Sequence, residues 1–554
     1  MDAHGTVNAR ERRRLALLLF AGLVLFFWRL GSHDLWPPDE PRFALVAKEM
    51  WMRGDYSVLS LDNHLYTDKP PLFFWAINGF ARLLGGIDEW AARLPSAVST
   101  LLALFLIERL GAWLYDRRTG LLAALVFATS LQILERGRWA SIDMTLNLFV
   151  LSAIVLFWLG RARRDREGVL IAAAWIMMGV ATLAKGPVGL VLPILAIVPW
   201  ALLERDFRFA RRVVSPPGIL LYLLVTLSWF GVFAWRLGFR YAIWVLMHQN
   251  VERYVGAWNS THPVWYYLWR FPVGFFPWIV FLPWAVAHAV SPQEREHRSA
   301  AVFLLSWAAA IFLFFSFSTG KRGVYIIPLY PAAAILVARL LARAWRSAPA
   351  EGETRGSDDE AALPEAARRL RVPLFAWAGI TLLVTAALVL MARRRYPELL
   401  ATAAALGLVF AAGAVAASVL HARGRTAGAL TCLFASLVLV VLISTETLLP
   451  WANRRANIRG FASQVKERLV PGAAFATTEE KRDAWVFYTD RFAEEADTPE
   501  AIALYLGRPG PRQLLIEDEL LKAVDPAALS GVIEVLRGTV SGQGYHLLQK
   551  DASR

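Results

Sequence analysis

Two short clusters near the start of the chain pair charged side chains with prolines. The first, WPPDEPRFALVAKEM at 36–50, sets Asp39 and Glu40 among three prolines. Proline fixes φ and stiffens the backbone around a carboxylate. Either acid could act as a general base, or simply start the helix that FALVAKEM suggests. The second, LYTDKPPLFFW at 65–75, sets Lys69 between Asp68 and two prolines, just before aromatic residues. A snorkelling lysine paired with Asp68 fits that pattern. So does a fixed ammonium that meets an anionic headgroup at a membrane surface. Such a pair is worth roughly 4 kcal/mol at 4 Å and an effective dielectric near 20, before desolvation.

Further along, Asp143 follows ERGRWASI and opens an apolar run. It is either a capping carboxylate paired with Arg136 or Arg138, or a second functional acid. Lys185 in LAKGPVG stands at a break that Gly and Pro explain, although they do not explain the lysine. His262 lies in NSTHPVWYY, where a lone histidine is usually solvated or structural. STGKRGVYIIPLYP at 318–331 places Lys321, Arg322 and Tyr325 at the mouth of another apolar run. A basic and aromatic interfacial anchor is the plain account of that segment.

The elements that must position these residues are apolar. Of the 554 residues, 56% are hydrophobic and 23 are Trp. Long apolar runs recur with Trp and Tyr near their ends, as at a membrane interface. The net charge of +14 would suit nucleic acid, but the arginines sit in short clusters between apolar runs, as the positive-inside rule places them. We therefore expect no nucleic-acid partner. The single cysteine, Cys432, lies in an apolar run, so no disulfide or CxxC metal pair is expected. The nine histidines show no HExxH spacing, and there is no Walker-type loop or GxGxxG after a strand.

Spans are expected at 15–28, 96–114, 119–134, 142–160, 169–184, 187–203, 218–236, 273–290, 300–317, 324–343, 372–391, 398–420 and 427–449, thirteen in all. The pair 169–184 and 187–203 also reads as a re-entrant hairpin, which leaves sidedness unchanged. The segments assigned to the cytoplasm are richer in Lys and Arg than the short outer loops, and Arg393–Arg395 is the local exception. Two long outer loops, 31–95 and 237–272, and a charged cytoplasmic linker, 344–371, interrupt a membrane domain over 1–449. An outer α/β domain is expected over 450–554, with strands at 473–478, 484–490, 512–518 and 545–550 and helix starts at Thr498-Pro499 and Asp525-Pro526. On this topology all ten charged or polar candidates fall on one membrane face, the outer one. Carboxylates and cations near lipid depth are what a lipid-phosphate substrate needs.

At these motifs the chain resembles the bacterial aminoarabinose transferases of lipid A modification, and the wider set that includes protein O-mannosyltransferases with the GT-C membrane fold. The matching pieces are DEPRFALVAKEM (39–50), GDYSVLSLDNHLYTDKPPLFFW (54–75), RWASIDM (138–144), LAKGPVGLVLP (183–193), HPVWYY (262–267) and GKRGVYIIPLYP (320–331). The resemblance implies a polytopic helical fold in a bacterial inner membrane, with a periplasmic active site. It implies a donor sugar on a polyprenyl (undecaprenyl) phosphate, inversion at the anomeric carbon, and lipid A or a protein as acceptor. It implies Asp39 and Asp143, with Glu40 beside them, as the functional carboxylates. Lys69 and Tyr325 would hold the carrier phosphate, with Arg322 and Lys321 as further candidates. His262, Asp68 and Lys185 would serve substrate or a divalent metal ion. The family usually has Glu where this chain has Asp68, and its aminoarabinose enzymes often carry more His around 262. A transporter or flippase is the rival class, but the chain shows no internal repeat and its ionisable groups collect at one face.

Overall fold

The computed structural model describes residues 9–252, 261–346 and 365–551. Most of the expected linker 344–371 and part of the outer loop 237–272 lie outside them. The chain divides into two compact units. The first takes residues up to Trp28, Asp68–Leu72 and Ser96–Glu446; the second takes Arg29–Thr67, Phe73–Pro95 and Thr447–Arg554.

The first unit is helical. Among the described residues, nine helices are long and apolar enough to cross a membrane, and they coincide with nine of the thirteen expected spans. The other four expected spans are helical but short or broken. The first is the 18-residue helix Ala9–Phe26, which begins with charged residues. The span expected at 119–134 is split at Thr129-Ser130 into Arg117–Ala128 and Leu131–Arg136. That at 273–290 is broken into Tyr266–Gly274, Trp278–Val280 and Leu282–Ala289. Pro272, Pro277 and Pro283 remove backbone donors there. The fourth is the 16-residue helix Val188–Leu203.

Small residues set how closely these helices pack. A Cβ on Gly120 would lie 2.2 Å from the Glu108 carbonyl oxygen of the preceding helix, so Arg117–Ala128 and Glu89–Leu114 touch backbone to backbone. Helix Arg117–Ala128 starts sharply because Asp116 accepts from the Arg118 and Thr119 amides. Helix Pro216–Leu237 starts with a Ser215 cap and Pro at its first turn.

The second unit revises the expected domain boundary. The C-terminal segment packs with most of the first long loop. Helix Asp39–Arg53 lies against helix Arg482–Thr489. Arg42 pairs with Asp483 at 3.0 Å, Asp62 with Arg482 at 3.3 Å, and the Tyr488 hydroxyl donates to Glu89 at 3.0 Å. A hairpin of β1 (Ser60–Leu61) and β2 (His64–Leu65) belongs to the loop. The C-terminal sheet has β3 (Ala474–Thr477), β4 (Glu494–Glu495), β5 (Arg512–Glu517), β6 (Val532–Val540) and β7 (Gln543–Lys550) in the order β4-β3-β5-β7-β6. β3 pairs in parallel with β4 and β5, and the remaining pairs are antiparallel. Three expected strands are present, but 484–490 is helical. Its aromatic and β-branched residues are buried round most of a helix, with Ala484, Trp485, Val486, Phe487 and Thr489 enclosed and Trp485 against Tyr545 of the sheet. The Thr498 cap accepts from Ala501 N as its Pro at the next position suggests.

Candidate functional site

A cavity of about 410 Å³ opens in the helical unit. Its polar wall gathers Asp68, Lys69, Asp143, Lys185 and Tyr325, five of the ten residues singled out from sequence. Its apolar wall comes from Leu146, Val188, Val191, Leu246, Phe314 and Phe315. The combination matches a ligand with a charged head and a hydrocarbon body.

Asp143 and Lys185 are each positioned by a helix end. Asp143 stands in the first turn of Ile142–Ala162. Lys185 closes Glu167–Lys185, and Gly186 follows with φ +86° and ψ −162°, a conformation essentially reserved for glycine. The next helix then returns so closely that a Cβ on Gly189 would sit 2.4 Å from the Ala181 backbone carbon. This tight hairpin brings Lys185 into an ion pair with Asp143, both largely buried. The Lys185 ammonium also lies 4.6 Å from the centre of the Tyr325 ring, a cation–π contact worth about 0.5–2 kcal/mol. Tyr325 rides on the 3₁₀ segment Gly323–Leu329, which is fixed at its far end where Trp307 Nε1 donates to the Pro328 carbonyl at 3.0 Å. Carboxylate, ammonium and phenol thus form one chain of contacts. The capping alternative for Asp143, with Arg136 or Arg138 as partner, does not form. Instead, Arg138 donates to the carbonyls of Leu25 and Trp28, and Arg136 pairs with Glu135.

On the facing wall the Lys69 ammonium donates to the Asp68 carbonyl at 2.9 Å, and Gln249 donates to the Asp68 carboxylate at 3.1 Å. Gln249 was not foreseen. It lies 181 positions from Asp68, on the π-helical segment Met247–Glu252, and a lone amide carries no sequence signal of its own.

The remaining five candidates do not line the cavity. Glu40 is 1% exposed and accepts both arms of Arg93, at 2.7 and 2.9 Å, with the Trp36 amide at 3.0 Å. Arg93, fully buried, also donates to the carbonyls of Leu30, His33 and Asp34. With its oxygens taken by Arg93 and Trp36, Glu40 is a structural counter-ion rather than a catalytic acid. Asp39 shares the first turn of the same helix, is only partly buried, and belongs to the second unit. Lys321 is 2% exposed and donates to the carbonyls of His262 and Ser318. Burial lowers its ammonium pKa below the usual lysine value. It therefore pins two loops together and does not face the cavity. Arg322 does not line the cavity; its carbonyl accepts from the Tyr267 hydroxyl at 3.0 Å. The His262 ring stacks on Tyr266, 4.3 Å between centres and 7° between planes.

These donors do not suit a metal ion. Asp143 is engaged by Lys185 and Asp68 by Gln249, and His262 does not line the cavity. The one group of three metal-type ligands among the described residues is Glu479, Glu495 and Asp497, in the C-terminal sheet region of the second unit.

Fold and cavity together define a multi-pass membrane protein of the GT-C type. The fold is shared with two solved proteins. ArnT from Cupriavidus metallidurans, bound to undecaprenyl phosphate, superposes with a TM-score of 0.78 at 23% identity, over 97% of this chain and 98% of that one. The oligosaccharyltransferase of Archaeoglobus fulgidus, tethered with an acceptor peptide, gives a TM-score of 0.50 at 12% identity, over 96% and 73%. In sequence, the chain is similar to the undecaprenyl phosphate-alpha-4-amino-4-deoxy-L-arabinose arabinosyl transferase of Erwinia tasmaniensis, 32% identical over 339 residues. That match covers 59% of each chain, so this chain spans about three-fifths of the length of the curated relative. The family described as dolichyl-phosphate-mannose-protein mannosyltransferase matches residues 68–231, the stretch that holds Lys69, Asp143 and Lys185. The resemblance read from the motifs thus holds.

Proposed function

We propose that this protein is an integral membrane glycosyltransferase of the bacterial inner membrane. It transfers a sugar from a polyprenyl phosphate, undecaprenyl phosphate foremost, to an acceptor at the periplasmic face. The acceptor is lipid A, and the sugar is of the aminoarabinose kind. The observation that carries this reading is the convergence of Lys69, Asp143, Lys185 and Tyr325 on one cavity with an apolar wall. The similarity to arabinosyl transferases supports the choice of sugar.

The chemistry follows from the charges. The bond between the anomeric carbon and the carrier phosphate oxygen breaks as the bond to the acceptor oxygen forms, with inversion. Negative charge grows on the departing phosphate, where pre-placed cations and hydroxyls lower the barrier most. Lys69 supplies the charge there and Tyr325 a hydroxyl donor. Lys185 pairs with Asp143 and orients it. If the acceptor is a hydroxyl, its proton passes to Asp143 as general base. If the acceptor is a phosphate of lipid A, it is already ionised, and the carboxylates orient it or bind the amino group of the sugar.

The protein O-mannosyltransferase-like match over 68–231 supports a second reading, with a protein as acceptor. Mass spectrometry of membrane lipids and envelope proteins, with and without the gene, separates the two. Lipid A that loses a pentosamine in the deletion strain is the expected result. A sugar lost from proteins alone would establish the second reading, and no missing sugar would remove both.

A further inference from the structure

The helices that carry the candidate site have a second, differently furnished end. Ile142–Ala162 starts beside Asp143 and ends with Arg161 and Ala162, and Arg298–Phe317 runs the opposite way, from Ser299 to Phe315. A helix of 21 residues rising 1.5 Å per residue spans about 30 Å, one hydrocarbon thickness. At this far end is a cavity of about 290 Å³, flanked by the arginine-rich segments 161–168 and 204–212 that place it on the cytoplasmic side.

Three indoles build its walls. Trp113 and Trp158 stack with centres 6.1 Å and planes 7° apart. Trp200 is buried beneath Arg161, whose guanidinium lies 4.5 Å from the ring centre. The rim carries Arg161, Arg164, Glu296 and Ser299. Carboxylates outside the cavity hold the two arginines in place. Asp206 accepts from Arg161 at 3.1 Å and from Arg164 at 2.8 Å, with Glu204 at 3.8 Å from Arg161 and Glu167 at 3.1 Å from Arg164. A guanidinium has five N–H donors, so fixed donors remain for a further anion. Glu296 is exposed and forms no ion pair among the described residues.

We propose that this cavity binds the zwitterionic headgroup of an inner-leaflet phospholipid, a phosphate ester bearing a primary ammonium. The phosphate sits on the spare N–H groups of Arg161 and Arg164 and on the Ser299 hydroxyl. The ammonium sits between Glu296 and an indole face, which attracts cations. The exposed carboxylate of Glu296 in the same lining as the two arginines favours a headgroup that carries both signs over a purely anionic one. Location decides against a cytosolic solute. Trp113 is 42% exposed at the end of its helix, where indoles favour the headgroup layer.

Native mass spectrometry of the full-length protein tests this, after exchange from detergent into equal mixtures of phosphatidylethanolamine, phosphatidylcholine and phosphatidylglycerol. Phosphatidylethanolamine should be retained over both others. Glu296→Gln should lower that retention by about tenfold, the loss of one charge-assisted hydrogen bond. Arg164→Gln should lower it similarly while the melting temperature in detergent stays put. Equal retention of the three lipids by the wild-type protein would overturn the site, a result that needs no variant. Preferred phosphatidylglycerol, unaffected by Glu296→Gln, would overturn the zwitterionic assignment.

Discussion

Arg93 and Lys185 show two opposite uses of a buried cation. Arg93 closes on Glu40 and three carbonyls with no exposed surface. Arg93→Ala would leave the Glu40 charge buried and uncompensated, which typically costs about 3–5 kcal/mol. A sharply lower melting temperature or loss of the folded protein is expected; an unchanged melting temperature would show that water replaces the guanidinium. Lys185 also pairs with a carboxylate, but at a cavity wall where a ligand can reach both. Asp143→Asn keeps the size and removes the charge. It should lower turnover ~10²–10⁴-fold with the melting temperature nearly unchanged, whereas near-normal turnover would make Asp143 only a counter-ion. The sequence made Asp143, Lys185, Lys69 and Tyr325 legible because each is a polar residue at the edge of an apolar run, with Lys69 beside Pro70 and Lys185 beside Gly186. It hid their partners. Asp143 and Lys185 lie 42 positions apart, and nearer arginines competed for the assignment. Glu40 and Asp39 looked alike on paper, and only the distant Arg93 separates them.

At the level of elements, the hairpin at Gly186 and Gly189 governs the site. Gly189→Val should push Val188–Leu203 off the preceding helix, because the new Cβ would fall 2.4 Å from backbone. Activity should drop together with the melting temperature as Lys185 leaves Asp143. Gly168→Ala on the preceding helix, Glu167–Lys185, meets nothing within 4 Å and serves as the control, with normal activity. Wild-type turnover in Gly189→Val would show that the hairpin does not position the lysine. Helices were legible where apolar runs were long, even with a single proline inside, as at Pro373 in Glu365–Arg395. They fragmented at Pro272, Pro277 and Pro283, where hydropathy alone still reads as one span. In the C-terminal sheet, β6 escaped notice because its residues are mostly solvent-facing or half-buried, so they show little apolar alternation. The segment 484–490 misled in the other direction, since aromatic and β-branched residues suit either a strand or a buried helix.

For the whole molecule, the division into units follows contacts rather than chain order. Most of the first long loop joins the C-terminal segment, and only Asp68–Leu72 stays with the helices and the cavity. A boundary drawn from composition alone at 450 could not reveal this, because the ties are single polar contacts such as Arg42 to Asp483, 441 positions apart. The central claim is that Lys69 and Tyr325 hold one carrier phosphate although they are far apart in sequence. Binding of undecaprenyl phosphate to the purified protein tests it most directly, measured for the wild type, Lys69→Ala, Tyr325→Phe and the double variant. Each single variant should weaken binding, and the double variant should lose less than the sum, since groups that share one ligand are coupled. Strict additivity, or normal affinity in both single variants, would contradict the shared site.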